Sequence, residues 1–140
     1  MAQRWLFKTE PGAYSFAQLE RDRRTVWDGV RNALALKNVG RTGVGDEVLV
    51  YHTGDEKAAV GVARVVRGPY QDPGQDDARM LVVELAPVRA LPRPVTLAEM
   101  RASPKLAGFD LLRLPRLSVM PVSAAHWGEI LHLAASPPGA

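Results

Sequence analysis

The 140-residue sequence predicts an α+β domain with a largely antiparallel, curved sheet and short helices around it. Apolar stretches of strand length, about five of them, are mixed with about four short helical patterns, and no regular βαβ alternation joins them. Two of the strand-like stretches are separated only by the turn Thr53-Gly54-Asp55-Glu56, which reads as a hairpin. Two helix starts carry capping boxes, Ser15 with Gln18 and Thr96 with Glu99.

Taken in order, Arg4 to Thr9 reads as a strand, with Trp5 and Phe7 on one face and Leu6 and Lys8 on the other. Pro11-Gly12 ends it. The first capping box opens a helix through about Arg23. Trp27-Asp28-Gly29-Val30 has no clean period and is expected as a loop. Asn32 to Val39 is expected as a helix that stops near Gly40. Glu47 to Thr53 and Ala58 to Val66 form the hairpin, and Gly61 inside the second strand predicts a bulge or a close backbone approach. Gly68 to Asp77, with Pro69, Pro73 and Gly74, predicts a long loop. Met80 to Val88 is a further strand, and the second capping box opens another helix. Leu117 to Val122 is the last strand, and Ser123 caps a final helix with Trp127, Ile130, Leu131 and Leu133 on its apolar side. Residues 1–135 make one domain, and 136–140 (Ser-Pro-Pro-Gly-Ala) a frayed tail.

Composition removes several kinds of chemistry. Cysteine is absent, so disulfides, thiolate metal sites and cysteine nucleophiles are excluded. No stretch approaches the roughly 18 apolar residues of a membrane span, and no membrane partner is expected. The opening Met-Ala-Gln-Arg-Trp-Leu-Phe-Lys has charges where a signal peptide needs an apolar core. Eighteen basic and fifteen acidic side chains give +3, and they are unevenly spread. Residues 1–45 hold eight basic against four acidic groups, 46–90 five against eight, and 91–140 five against three. Positive ends around a negative middle permit a polyanionic partner, although on charge alone a solvated surface is the commoner reading.

The common catalytic motifs (G-x-S-x-G, the P-loop, H-E-x-x-H, G-x-G-x-x-G) do not occur. The acids Asp72, Asp76 and Asp77 do not have the spacing of a calcium loop, and no metal or cofactor is expected. What stands out is four polar and aromatic groups beside turns, where sites tend to be built. They are Lys8-Thr9-Glu10-Pro11, Trp27 to Asn32, Tyr51-His52-Thr53-Gly54, and Pro115 to Val119. Each residue also has a structural reading. Trp27 and Tyr51 suit a core, Asn32 an N-cap, Asp28 a turn, and Arg31 and Arg116 surface ion pairs.

Together these segments resemble the EVE domain. Trp5-Leu6-Phe7-Lys8-Thr9-Glu10-Pro11, Tyr14-Ser15 and Trp27-Asp28-Gly29-Val30-Arg31-Asn32 are similar to its opening. Gly45-Asp46, Tyr51-His52-Thr53-Gly54, Val60-Gly61-Val62-Ala63, Tyr70-Gln71-Asp72-Pro73 and Arg116-Leu117-Ser118-Val119 with Pro121-Val122 follow in the family's order. The resemblance implies a PUA-like fold: a curved, partly closed β-barrel with helices around it. It implies a relationship to YTH domains, a cytoplasmic bacterial protein, and a non-enzymatic module that reads a modified base in nucleic acid, a cytosine derivative in DNA rather than RNA.

Such a reader must extrude the nucleotide, stack it and read its polar edge. The expected base-binding residues are Trp27, Asn32, Tyr51, Thr53, Ser118, Thr9 and Glu10, with Trp5 and His52 as further candidates. Phosphates fall to Lys8, Arg31 and Arg116. Truncating Trp27 is expected to weaken binding and spare the fold. Two alternatives stand beside this. One is a small enzyme acting on a modified nucleotide with Lys8 and Glu10 as an acid/base pair. The other is an RNA-binding module using a basic face near Arg21, Arg23 and Arg24.

Overall fold

In the computed structural model, residues 2–137 are described. The strands are β1 (Arg4–Thr9), β2 (Thr25–Trp27), β3 (Glu47–His52), β4 (Ala58–Gln71), β5 (Leu81–Thr96) and β6 (Val119–Pro121). The helices are α1 (Phe16–Asp22), α2 (Ala33–Val39), α3 (Leu97–Ala102), α4 (Asp110–Arg113) and α5 (Ala124–Ala135), with a 3-10 turn at Pro104–Leu106. The strands form one sheet in the order β2-β5-β4-β3-β1-β6. Four of its five pairings are antiparallel, and β1 with β3 is parallel. A parallel pair needs a crossover, and α1, β2 and α2 supply it.

β1 sits between β3 and β6. Trp5, Leu6 and Phe7 are therefore all buried, and the expected division into an inner and an outer face gives way to a strand covered on both sides. Both capping boxes form: the Ser15 hydroxyl accepts from Gln18 N–H and the Thr96 hydroxyl from Glu99 N–H. The hairpin forms as β3 and β4. Gly61 is the expected close approach. A Cβ there would lie 2.4 Å from Cζ of Phe16, the first residue of α1, and the β4–β5 register shifts beside it.

Three expectations are corrected. Trp27 does not open a loop but closes β2, opposite Val83 of β5. Three residues are too few to show a period, and their pairing is with a segment far along the chain. The loop expected from Gly68 is strand as far as Gln71, with Tyr70 opposite Val82. The register shift between Arg67 and Tyr70, at a Gly68 with φ +100°, lets Pro69 stand outside the ladder it cannot donate to. β5 runs on to Thr96, well past Val88. Ser136 ends α5 as its C-cap, and residues 138–140 of the expected tail lie outside the described residues.

Candidate functional site

The end of β1 is the organising point. Thr53 N–H donates to the Thr9 carbonyl (2.9 Å), and the Thr9 hydroxyl donates to the Tyr14 carbonyl (2.7 Å). Ala13 and Tyr14 N–H both donate to the Glu10 carbonyl (2.9 Å each), closing a tight turn. That turn brings the Tyr14 ring edge-on to Trp27, with centroids 6.2 Å apart and planes at 90°. Phe7 packs on Trp27 from the core, at 5.8 Å. Between the turn and β2 lies a concavity of about 600 Å³, whose lining includes Lys8, Thr9, Glu10, Tyr14, Trp27 and Asp28. Trp27 lines it while only 8% exposed. The Tyr14 hydroxyl donates to Asp22 (2.8 Å), and burial first, then that carboxylate, pushes its pKa up.

On the other side of Lys8 is a smaller cavity of about 230 Å³, lined among others by Lys8, Tyr51, Thr53, Lys57, Arg101 and Pro115. The Lys8 ammonium donates to the Pro115 carbonyl (2.9 Å) and stands 5.9 Å from the Tyr51 ring centroid. Burial lowers the Lys8 pKa and raises that of Tyr51. Lys8 therefore forms part of both walls.

The other expected residues go elsewhere. The Asn32 side chain accepts from Ala35 N–H (3.0 Å) as the N-cap of α2, and Asn32 shares a third concavity with Arg116. Arg31 lines a fourth, between α2 and the start of β5. Ser118 contributes its carbonyl, which accepts from Lys8 N–H (2.9 Å). Trp5 is a core residue rather than a second wall. It is 2% exposed, and its indole N–H donates to Asp46 (2.9 Å). Both nitrogens of buried His52 are engaged: Nε2 accepts from Phe16 N–H (3.0 Å), so Nδ1 donates to Glu56 (2.6 Å). His52 thus fixes the start of α1 instead of facing a ligand. The four sequence groups meet only in part. The first shares one cavity with Trp27-Asp28-Gly29 and another, through Lys8, with Tyr51, Thr53 and Gly54 of the third group and Pro115 of the fourth.

Tyr14, Lys57 and Arg101 line these cavities without standing among the expected site residues. Tyr14 stands within a motif already noted, four residues after Glu10. Lys57 sits in a turn and Arg101 on α3, with nothing in their local pattern to link them to Lys8. Among the described residues, no group of three acids or histidines could hold a metal, and no helix is long and apolar enough to cross a membrane. Asp77, from the acidic loop, is bound by Arg79, which holds its pKa down at about 2.

A curled, mostly antiparallel sheet with helices packed around it and cavities at the end of its first strand defines a PUA-like α+β domain. The EVE domain model matches residues 3–133, and the chain belongs to that family. It is similar to human thymocyte nuclear protein 1, at 25% identity over 95% of this chain and 74% of the human one. A Rhodopseudomonas palustris protein solved by NMR superposes with a TM-score of 0.91, at 31% identity and 99% coverage of both chains. The crystal structure of the human THYN1 protein in complex with 5-methylcytosine containing DNA superposes with a TM-score of 0.89, at 25% identity, covering 98% of this chain and all of that one.

Proposed function

We propose that this chain binds nucleic acid and takes one swung-out modified base, a cytosine derivative in DNA, into the cavity at the end of β1. The observation that carries the reading is the cavity itself. Its volume of about 600 Å³ lies within the roughly 300–1,000 Å³ of small-molecule sites. It combines aromatic side chains with carboxylate acceptors, and the human THYN1 protein, whose fold this chain shares, was crystallised with 5-methylcytosine containing DNA. Trp27 and Tyr14 supply aromatic contact for the base. The carboxylates of Glu10 and Asp28 are the acceptor type that suits the exocyclic amino group of a cytosine. Thr9 is already committed to the Tyr14 carbonyl and acts by shaping the turn. Thr53 and Ser118 brace the end of β1 through the Thr9 carbonyl and the Lys8 N–H, while Tyr51 lines the smaller cavity and Asn32 a separate concavity. Lys8 is the cation at this cavity, and Arg31 and Arg116, in neighbouring concavities of their own, are the further phosphate contacts of the reading.

The enzymatic alternative requires Lys8 and Glu10 to work as a pair. Their charged ends are engaged differently: Lys8 donates to Pro115, and the Glu10 carboxylate turns toward Thr53 (3.4 Å) and Gly54. The test is affinity for matched oligonucleotides carrying cytosine, 5-methylcytosine or 5-hydroxymethylcytosine at one position. Tighter binding of one modified strand, reduced in Trp27→Phe and Glu10→Gln, is expected. Equal affinity for all three would overturn the reading.

A further inference from the structure

We infer that the cavity of about 230 Å³ beside Tyr51 is a phosphate seat, which takes a phosphodiester of the bound strand through Lys8, Lys57 and Arg101. This rests on the nucleic-acid reading above and adds to it a second compartment with its own residues.

The lining carries three cations and no carboxylate. Six arginines are matched to carboxylates, Arg4 to Glu47, Arg24 and Arg67 to Glu84, Arg79 to Asp77, Arg93 to Glu99 and Arg113 to Asp110, and what distinguishes this cavity is that its three cations converge on one lining. Among the described residues, Lys8, Lys57 and Arg101 have no acidic partner within 4.0 Å. For Lys8 this has a cost. Its ammonium is partly withdrawn from water and answered only by the Pro115 carbonyl and the Tyr51 ring, and burial lowers its pKa accordingly. An anion entering the cavity would restore what desolvation removed.

The other two cations are held in relation to each other. Lys57 adopts the left-handed conformation at φ +46°, unusual for a residue with a Cβ. Its carbonyl accepts from Leu97 N–H (2.8 Å), the first residue of α3, and α3 carries Arg101 on its next turn. Two acids stand close by. Glu56 is bound by His52, and Glu10 stands on the Thr53–Gly54 edge, where it would press a phosphate toward Lys57 and Arg101. Because Lys8 lines both cavities, one nucleotide can place its base on one side of that residue and its phosphate on the other.

The experiment measures binding of a 5-methylcytosine oligonucleotide and its unmodified counterpart across a salt series, for the wild type, Lys57→Gln and Arg101→Gln. Both substitutions are at exposed positions, and circular dichroism checks the fold. Each is expected to lower the slope of log affinity against log salt by about 0.7–0.9, the value for one lost phosphate contact. Both strands should weaken by the same factor. Unchanged slope and affinity in both variants would overturn the seat, as would weakening confined to the modified strand. Equal wild-type affinity for the two strands, with the slopes still reduced, would remove the base reading and leave the seat standing. A 5-methylcytidine monophosphate that competes as strongly as the strand would move the seat from a phosphodiester to a free nucleotide's terminal phosphate and so overturn it for the strand.

Discussion

The two cavities flanking Lys8 share a wall and differ in nearly everything else. The larger one, at Trp27, has Glu10 and Asp28 in its lining with Lys8 as a single cation. The smaller one, at Tyr51, has three cations and no acid. Each has an aromatic residue at its base, and both rings are almost fully buried. Aromatic rings line both compartments and so do not set them apart. The sign of the surrounding charge does, and it suits the first to a neutral hydrogen-bonding group and the second to an anion.

The largest effect expected is at Trp27. With 8% exposure and Phe7 packed against it, truncation to Ala leaves a hole in the core as well as in the cavity wall. Trp27→Ala should cost about 3–5 kcal/mol of stability, read from urea unfolding. That burial argues against the expectation that the fold is spared. A loss under about 1 kcal/mol would mean that the indole belongs to the cavity alone. Next comes Gly61→Ala. The added methyl meets the Phe16 ring, and overpacking of this kind costs about 1–3 kcal/mol. Because α1 leads out of the Tyr14 turn, the larger cavity should be disturbed more than the smaller. The double variant with Phe16→Leu should recover part of the loss, and no recovery would place the strain elsewhere.

A smaller, pH-dependent effect is expected at Glu84. Its carboxylate accepts from Arg24 (2.8 Å), Arg67 (3.2 Å) and Tyr70 (2.8 Å), which joins the approach to β2 to β4 and β5. The hydrogen bond from Tyr70, and then that from Arg24, lowers its pKa below the usual 4.5. A depressed carboxylate contributes stability above the unfolded pKa and loses it as pH falls through the folded value. Glu84→Gln should therefore lower the urea midpoint at pH 7, and the gap to the wild type should close in acid below pH 4.5. A gap of the same size in acid would rule out the ionic contribution. The smallest effects, at Lys57 and Arg101, change salt dependence and leave stability nearly untouched.

Local signals were legible wherever the interaction that makes them is local. Ser15 with Gln18, Thr96 with Glu99, Asn32 and Ser123 cap helices within four residues of themselves, and all four do so. The hairpin and the crowded Gly61 followed from turn chemistry and a missing side chain. Of the site, the Lys8-Thr9-Glu10 corner and Trp27 were legible as polar and aromatic residues at turns, and they line one cavity. Trp5 stands among the sequence candidates because an indole looks alike in sequence whether it faces a cavity or bonds to Asp46.

The α+β class, the family, the capped helices and the chemistry excluded by the absence of cysteine all follow from residue order. Tertiary structure alone decided that Trp27 ends a strand opposite Val83, that Asn32 and Arg31 turn to separate concavities, and that Arg101 comes to share a cavity with Lys8. The physical reason is range. Caps and turns are fixed by backbone groups a few bonds away, whereas the company each charged side chain keeps depends on which distant strands and helices the buried core brings together.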